Sequence, residues 1–421
     1  MIDPNDKDLL IQLFEAAVDA ADPVKTLREH LPAKPKGRTV VIGAGKGAAQ
    51  MACALESLWD GPLEGVVVTR YGYACETQRI RVMEAAHPVP DEAGLAATQA
   101  LKAALTNLST DDLVIALVCG GGSSLLPAPP EGLTLEDEKA LNQSLLASGA
   151  PISAMNTIRK QLSTVKGGRL ALRAAPAQVV SLIVSDVPGD DPAQVASGPT
   201  VADAGNRQTA LDAIKAYGIT LPDSVSTFLE TSPDTTPNVT QNTFSRNEVK
   251  IIASAAKSLD AAAYKASAAG ITPVILSDAI EGEARDIGLM HAAMAREVRT
   301  KGRPFTPPVV ILSGGETTVT LRGKAGRGGR NTEFLLACAG GLEGLNITAL
   351  AADTDGIDGS EPNAGAFANG TTWARLRKLG HDPRQILSGH DAWSGFNALG
   401  DLFVPGPTGT NVNDFRALLI R

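Results

Sequence analysis

The sequence predicts an α/β fold in two domains. Residues 1–235 read as a Rossmann-like domain with a mainly parallel, helix-sandwiched sheet, and residues 236–421 as a smaller α/β domain, with a cleft between them. Three observations carry this. Short β-branched runs alternate with longer helical stretches. The runs are apolar throughout, as in strands covered on both faces. Nearly every run ends in glycine and polar residues, and open parallel sheets bind their ligands at such strand ends.

Taken in order, residues 6–30 read as a first helix. RTVVIG (38–43) is a buried strand, followed by a glycine-rich turn and a helix through Trp59. GVVVT (65–69) is a second strand, LVIALVCGGG from Leu113 a third and QVVSLIVSD (178–186) a fourth. Residues 231–245, TSPDTTPNVTQNTFS, have no periodicity and mark the boundary. The alternation then restarts with strands near 249–254 and 272–277 and helices to 269 and over 283–300. PVVILSGGE, a hairpin strand over 317–321, a helix from Asn331 and the strand NITALAADTDG follow. The last 30 residues are loop-rich, and the final 20 or so are placed either here or back on the first domain.

Composition removes several classes of function. Aromatic residues are 4% of the chain, too few for a stacking platform for bases or sugars. The net charge is −8 and no basic run exceeds two neighbours, so neither nucleic acid nor an anionic membrane is expected as partner. No apolar run reaches the ~18 residues of a membrane span, and the acidic N-terminus lacks a signal-peptide core. A cytoplasmic protein is expected. Four scattered cysteines without a CxxC suggest neither zinc nor a disulfide framework. The five histidines show no metal-ligand spacing, and GxSxG is absent. A homodimer is compatible with the sequence, which does not set the oligomeric state.

The chemistry concentrates in the strand-end loops. Gly43, Gly45 and Gly47, with Ala44 and Ala48, fit a relaxed GxGxxG/A turn. The acid that binds a dinucleotide ribose is missing after the second strand, where Val68-Thr69-Arg70 stands. Lys46 inside the glycines adds a cation to a helix start that already favours anions; an exposed lysine in a plain turn is the alternative. Gly120, Gly121 and Gly122 form an amide nest followed by the hydroxyls of Ser123 and Ser124, although the Walker pattern is absent. Asp186 directly follows the fourth strand, placed to accept a hydroxyl proton or hold a metal; a helix cap is the alternative. Asp190 and Asp191 shape the turn after it.

Asn156, Arg159 and Lys160 lie on a basic helical stretch suited to a carboxylate, or else a solvated face. His87 precedes a helix capped by Asp91 and reads as a loop histidine more than a substrate contact. In the second domain, Gly314, Gly315 and Glu316 end a strand, and Arg330 begins a helix, where it can reach a phosphate as an arginine finger or merely stabilise a turn. Asp353 and Asp355 begin an EF-hand-like run whose twelfth position is Ala364 rather than Glu, so a strand-end turn carrying carboxylates fits better.

Together and in this order, these loops resemble the glycerate 2-kinase family, whose C-terminal half is the MOFRL domain. The match rests on GAGKGA (43–48), HPVPDEAG (87–94), CGGGSSLL (119–126), MNTIRKQLSTVKGGRLA (155–171) and SDVPGDDPAQVASGPTVAD (185–203), continuing with SGGETTV (313–319), GRGGRNTE (326–333) and AADTDGIDG (351–359). It spans nearly the whole chain; one departure is Asn331-Thr332, where Asn-Gln is common.

The resemblance implies transfer of the ATP γ-phosphate to the 2-hydroxyl of D-glycerate, with Mg²⁺ or another divalent cation. In that scheme Lys46, Asp186 and Arg330 are catalytic. The glycine loops 43–47 and 120–124, with Gly314, Gly315 and Glu316, bind phosphates. Asn156, Arg159 and Lys160 bind glycerate, and the metal ligands come from Asp186, Asp190, Asp353 and Asp355. Relatives also carry the name hydroxypyruvate reductase, which makes an NAD(P)H-dependent reductase the first alternative, against which the missing ribose acid speaks. A non-catalytic sugar-phosphate-binding protein is the second.

Overall fold

Five apolar runs form the centre of the first sheet: β1 (Thr39–Ala44), β2 (Glu64–Arg70), β3 (Ile80–Ala85), β4 (Leu113–Cys119) and β5 (Gln178–Ser185), with β6 (Glu248–Ser254) at the edge. The structure, a computed structural model, describes residues 2–421 except 235, 238–241, 322 and 324. The strand order is β3-β2-β1-β4-β5-β6, and β1 to β5 run parallel. Alternate residues face opposite sides of a strand. Val40 and Ile42 join Leu101 and Leu170 in one apolar layer, while Val41 and Ile115 are buried on the other side. Burial on both faces is why these strands read as unbroken apolar runs.

The chain divides into two compact units, Pro23–Ile252 and Met1–Asp22 with Ala253–Arg421. This differs from a boundary at 235/236; residue 235 itself lies outside the described residues. The first unit extends further because β6 completes its sheet beside β5. The expected helix over 6–30 is two helices, Pro4–Asp19 and Pro23–His30, and the break between them is the unit boundary. The first helix, part of the second compact unit, buries Leu10, Leu13, Phe14 and Ala17 against Phe403 and Phe415 of that unit's core.

That unit holds β7 (Thr272–Ile275), β8 (Gly282–Glu283), β9 (Val309–Gly315), β10 (Thr317–Thr318), β11 (Ile347–Asp353), β12 (Gly365–Asn369), β13 (Leu402–Phe403) and β14 (Asp414–Ile420). Its sheet order is β13-β12-β11-β14-β9-β7, mixed in direction. The last strand therefore lies in the middle of this sheet, antiparallel to both neighbours, and does not return to the first. The hairpin expected over 317–321 is reduced to β10, which pairs in parallel with β8. Among the described residues no helix is long and apolar enough to cross a membrane.

Candidate active site

The order β3-β2-β1-β4-β5-β6 reverses direction at β1 and β4. The connections leaving these two strands diverge, opening a crevice at their carboxyl ends, the usual ligand position in such sheets. Both glycine-rich turns lie at this point. The Lys46 amide donates to the Gly120 carbonyl at 2.8 Å, tying the turns together, and Thr69 Oγ1 donates to the Lys46 carbonyl at 3.0 Å. The Gly47 amide donates to Cys119 Sγ at 3.2 Å.

Close approach explains the glycines after β4. A Cβ on Gly120 would lie 1.8 Å from Asp186 Oδ2. Gly121 has a left-handed φ of 78°, and a Cβ there would meet His87 Nε2 and Lys46 Cγ, both at 3.0 Å. Lys46, His87 and Asp186, from three separate strand ends, thus surround one bare stretch of backbone. Among the described residues the Lys46 ammonium has no hydrogen-bond or ion-pair partner. Burial, aided by the positive charges of Lys46 and Arg70, pulls the His87 imidazole down to about 4, so it is neutral at pH 7. His87, read from the sequence as a loop histidine, stands two residues past the end of β3 and lines the same backbone as Lys46.

A polar chain continues from this point. Ser123 and Ser197 hydroxyls are 2.8 Å apart, and Ser197 donates to Asn156 Oδ1 at 3.0 Å. Arg159 donates to the same oxygen at 3.1 Å and to Asn142 Oδ1 at 2.9 Å. Burial lowers the Arg159 pKa below its ordinary value, against the pull of Glu138. Asn156 and Arg159 therefore join the glycine loop through Ser197, fixed in position by the helix Ile152–Gln161. Lys160 does not join them: it is buried and paired with Asp203, so it is not available to a carboxylate. Ser124 donates to the Gly121 carbonyl, shaping the loop.

The second-unit candidates are engaged by side chains and backbone of their own unit. Arg330 donates Nε to Asp414, one terminal nitrogen to Glu316 and the other to Asp353, each at 2.7 Å. Burial alone would lower its pKa, but the charges of Asp414, Asp353 and Glu316 outweigh this and raise it. A guanidinium engaged on all three nitrogens would have to exchange a carboxylate for a phosphate to act as an arginine finger. Gly314 and Gly315 are not an open nest either. A Cβ on Gly315 would lie 2.2 Å from the Ile280 amide, and the Gly314 carbonyl accepts from Arg416 at 3.1 Å.

The Asp353 carboxyl is raised well above the ordinary range by burial and by Asp355 and Asp414, with Arg330 opposing. Asp355 accepts the Ile357 amide at 2.9 Å, a local turn. Asp358 caps the helix Arg330–Gly341 by accepting the amides of Asn331 and Thr332, both at 2.9 Å. Burial raises it to about 6 against those hydrogen bonds.

The metal expectation finds no support in these side chains. Asp186 and Asp190 belong to one unit and Asp353 and Asp355 to the other. Among the described residues no three Asp, Glu, His or Cys side chains gather as a cation site, and Asp353 is already held by Arg330. Within either unit, then, these aspartates do not by themselves form a protein-built cation cage.

A switch-point crevice lined by glycine-rich turns, a lysine and an aspartate is the usual ligand position of an open parallel α/β sheet. Residues 9–230 match a domain of unknown function, DUF4147, and residues 309–414 match the MOFRL family. A glycerate 2-kinase of Pyrococcus horikoshii is 38% identical, covering 98% of this chain and 97% of that one. A protein of Agrobacterium vitis carrying a provisional hydroxypyruvate reductase name is 51% identical over 99% of this chain and 95% of its own. The crystal structure of glycerate kinase from Thermotoga maritima superposes with a TM-score of 0.89 at 37% identity, covering all of both chains. The chain belongs to the glycerate 2-kinase family of the MOFRL type.

Proposed function

We propose that this chain is an ATP-dependent glycerate 2-kinase, forming 2-phospho-D-glycerate and ADP. The observation that carries the reading is the Lys46 ammonium, without a partner among the described residues, between two glycine turns whose second also packs against Asp186 at the switch point. Phosphoryl transfer asks little covalent work of a protein. It needs in-line placement of donor and acceptor and compensation of charge on the phosphoryl oxygens.

Lys46 and the amides of the 120–124 loop supply that compensation. Asp186 accepts the proton of the glycerate 2-hydroxyl as its oxygen bonds to the γ-phosphorus and the bond to the β-phosphate oxygen breaks, releasing ADP. Neutral His87 donates or accepts a hydrogen bond without adding charge beside Lys46. Arg159, charged but without a carboxylate hydrogen-bond partner among the described residues, is the cation for the glycerate carboxylate, with Asn156 orienting it. Lys160 and Arg330 have structural tasks. A cytoplasmic setting belongs to the same proposal and suits the four free thiols.

The Agrobacterium relative favours a second reading, NAD(P)H-dependent reduction of hydroxypyruvate. At the end of β2, where such a site needs an acid for the ribose, stands Arg70, its guanidinium 3.6 Å from the Tyr73 ring centre. One paired assay decides. Purified protein with D-glycerate and MgATP releases ADP and forms the 2-phosphate, and with hydroxypyruvate and NADH it consumes no NADH. NADH oxidation without ADP release overturns the kinase reading, and binding without either turnover makes the chain a sensor.

A further inference from the structure

We infer that Cys53 and Cys75 form a reversible intramolecular disulfide under peroxide or disulfide stress, a covalent modification site beside the candidate active site. The segment between β2 and β3 lies along the helix Ala48–Leu58 in regular register. Gln50 Nε2 donates to the Tyr73 carbonyl at 3.2 Å, Cys53 Sγ to the Glu76 carbonyl at 3.5 Å, and Glu56 accepts the amides of Gln78 at 2.8 Å and Arg79 at 2.7 Å. Gln50, Cys53 and Glu56 are spaced three apart, so one helix face grips the segment at three successive points. This register sets Glu76 opposite Cys53, so Cys75, the residue before it, lies next to the carbonyl that Cys53 Sγ reaches. Both are half-buried, within reach of a small oxidant, and neither is bonded elsewhere.

Burial, with the neighbouring Cys53 thiol adding to it, pushes Cys75 up to about 11, so this thiol stays protonated at neutral pH and is a slow first target for peroxide, which leaves it the resolving partner. The step balances with hydrogen peroxide as oxidant. One sulfur attacks a peroxide oxygen and becomes a sulfenic acid, releasing water. The second sulfur attacks the first, the S–S bond forms and the second water leaves. Each sulfur gives up one electron, and both thiol protons end in water. The disulfide closes the chain from the helix behind Lys46 to the segment whose Tyr73 stacks on Arg70. It restricts the unfolded chain and so stabilises this unit.

The test uses the full chain, whatever its kinase activity. After peroxide treatment, intact mass falls by two hydrogens, a non-reducing peptide map shows a Cys53–Cys75 link, and dithiothreitol reverses both. The melting temperature rises on oxidation, and this shift is absent in Cys53→Ser and in Cys75→Ser. Separate oxygen additions at either sulfur, links between chains, or two alkylatable thiols after oxidation overturn the inference. Because Cys119 and Cys338 are fully buried, labelling under native conditions reads these two positions alone.

Discussion

Lys46 and Arg330 look alike in the sequence, each a cation among glycines at the start of a helix, and the structure separates them by their partners. Lys46 Nζ has none among the described residues, whereas Arg330 is held by three carboxylates. Sequence shows residue type and spacing, and these place Lys46, Asp186 and the 120–122 loop at strand ends. It does not show which distant carboxylates will pair with a charge, as Asp203 does with Lys160 and Asp414, Asp353 and Glu316 with Arg330. Removing the uncommitted charge should therefore cost function and little else. Lys46→Ala lowers kcat for glycerate phosphorylation by about 10²–10⁴, the range for lost electrostatic stabilisers, with an unchanged melting temperature. Asp186→Asn lowers kcat with glycerate binding retained. Steady-state kinetics with thermal melts check both, and normal turnover in either variant removes that residue from the mechanism.

Among the elements, β1, β4 and β5 were legible because both faces are covered and their residues are apolar throughout. β14 was not. Its sequence DFRALLI carries an aspartate and an arginine, which read as loop, yet every residue of it is buried. Asp414 and Arg416 pair with one another at 2.5 Å, and Asp414 also accepts from Arg330 and Asn331. Charges that satisfy each other can occupy a central strand, and periodicity cannot foresee it. Such a pair is sensitive to loss of one member. Asp414→Asn leaves two buried guanidiniums short of a carboxylate and should destabilise this unit by about 3–5 kcal/mol. Urea unfolding measures this, and a loss below about 1 kcal/mol would place Asp414 among ordinary surface positions.

For the whole molecule, stability should depend on pH through a histidine outside the candidate site. His291 is buried, donates Nδ1–H to the Ile287 carbonyl at 2.8 Å and accepts the Ser313 hydroxyl at Nε2, 2.9 Å away. Burial, with Arg416 adding to it, lowers the ring to about 4 from an ordinary 6.5, while the Ile287 hydrogen bond opposes. With the folded value below the unfolded one, the unfolded chain binds more protons between them, so stability is full above pH 6.5 and declines toward pH 4. Asp358, raised to about 6, acts oppositely between pH 4 and 6. Comparison with His291→Gln isolates the histidine. The wild-type advantage in denaturant melts should shrink on acidification below pH 6.5, with a limiting slope of about 1.4 kcal/mol per pH unit; a constant advantage would mean the ring titrates normally.

The division into units has a consequence of timing. The helix Pro4–Asp19 is made long before its seat, which is built from Phe367, Phe403 and Phe415. A chain leaving the ribosome completes the whole of Pro23–Ile252 before that seat exists. The nascent amphipathic segment carries Leu10, Leu13 and Phe14 uncovered through most of translation, which makes the N-terminus the stretch that a holdase chaperone would be expected to shelter.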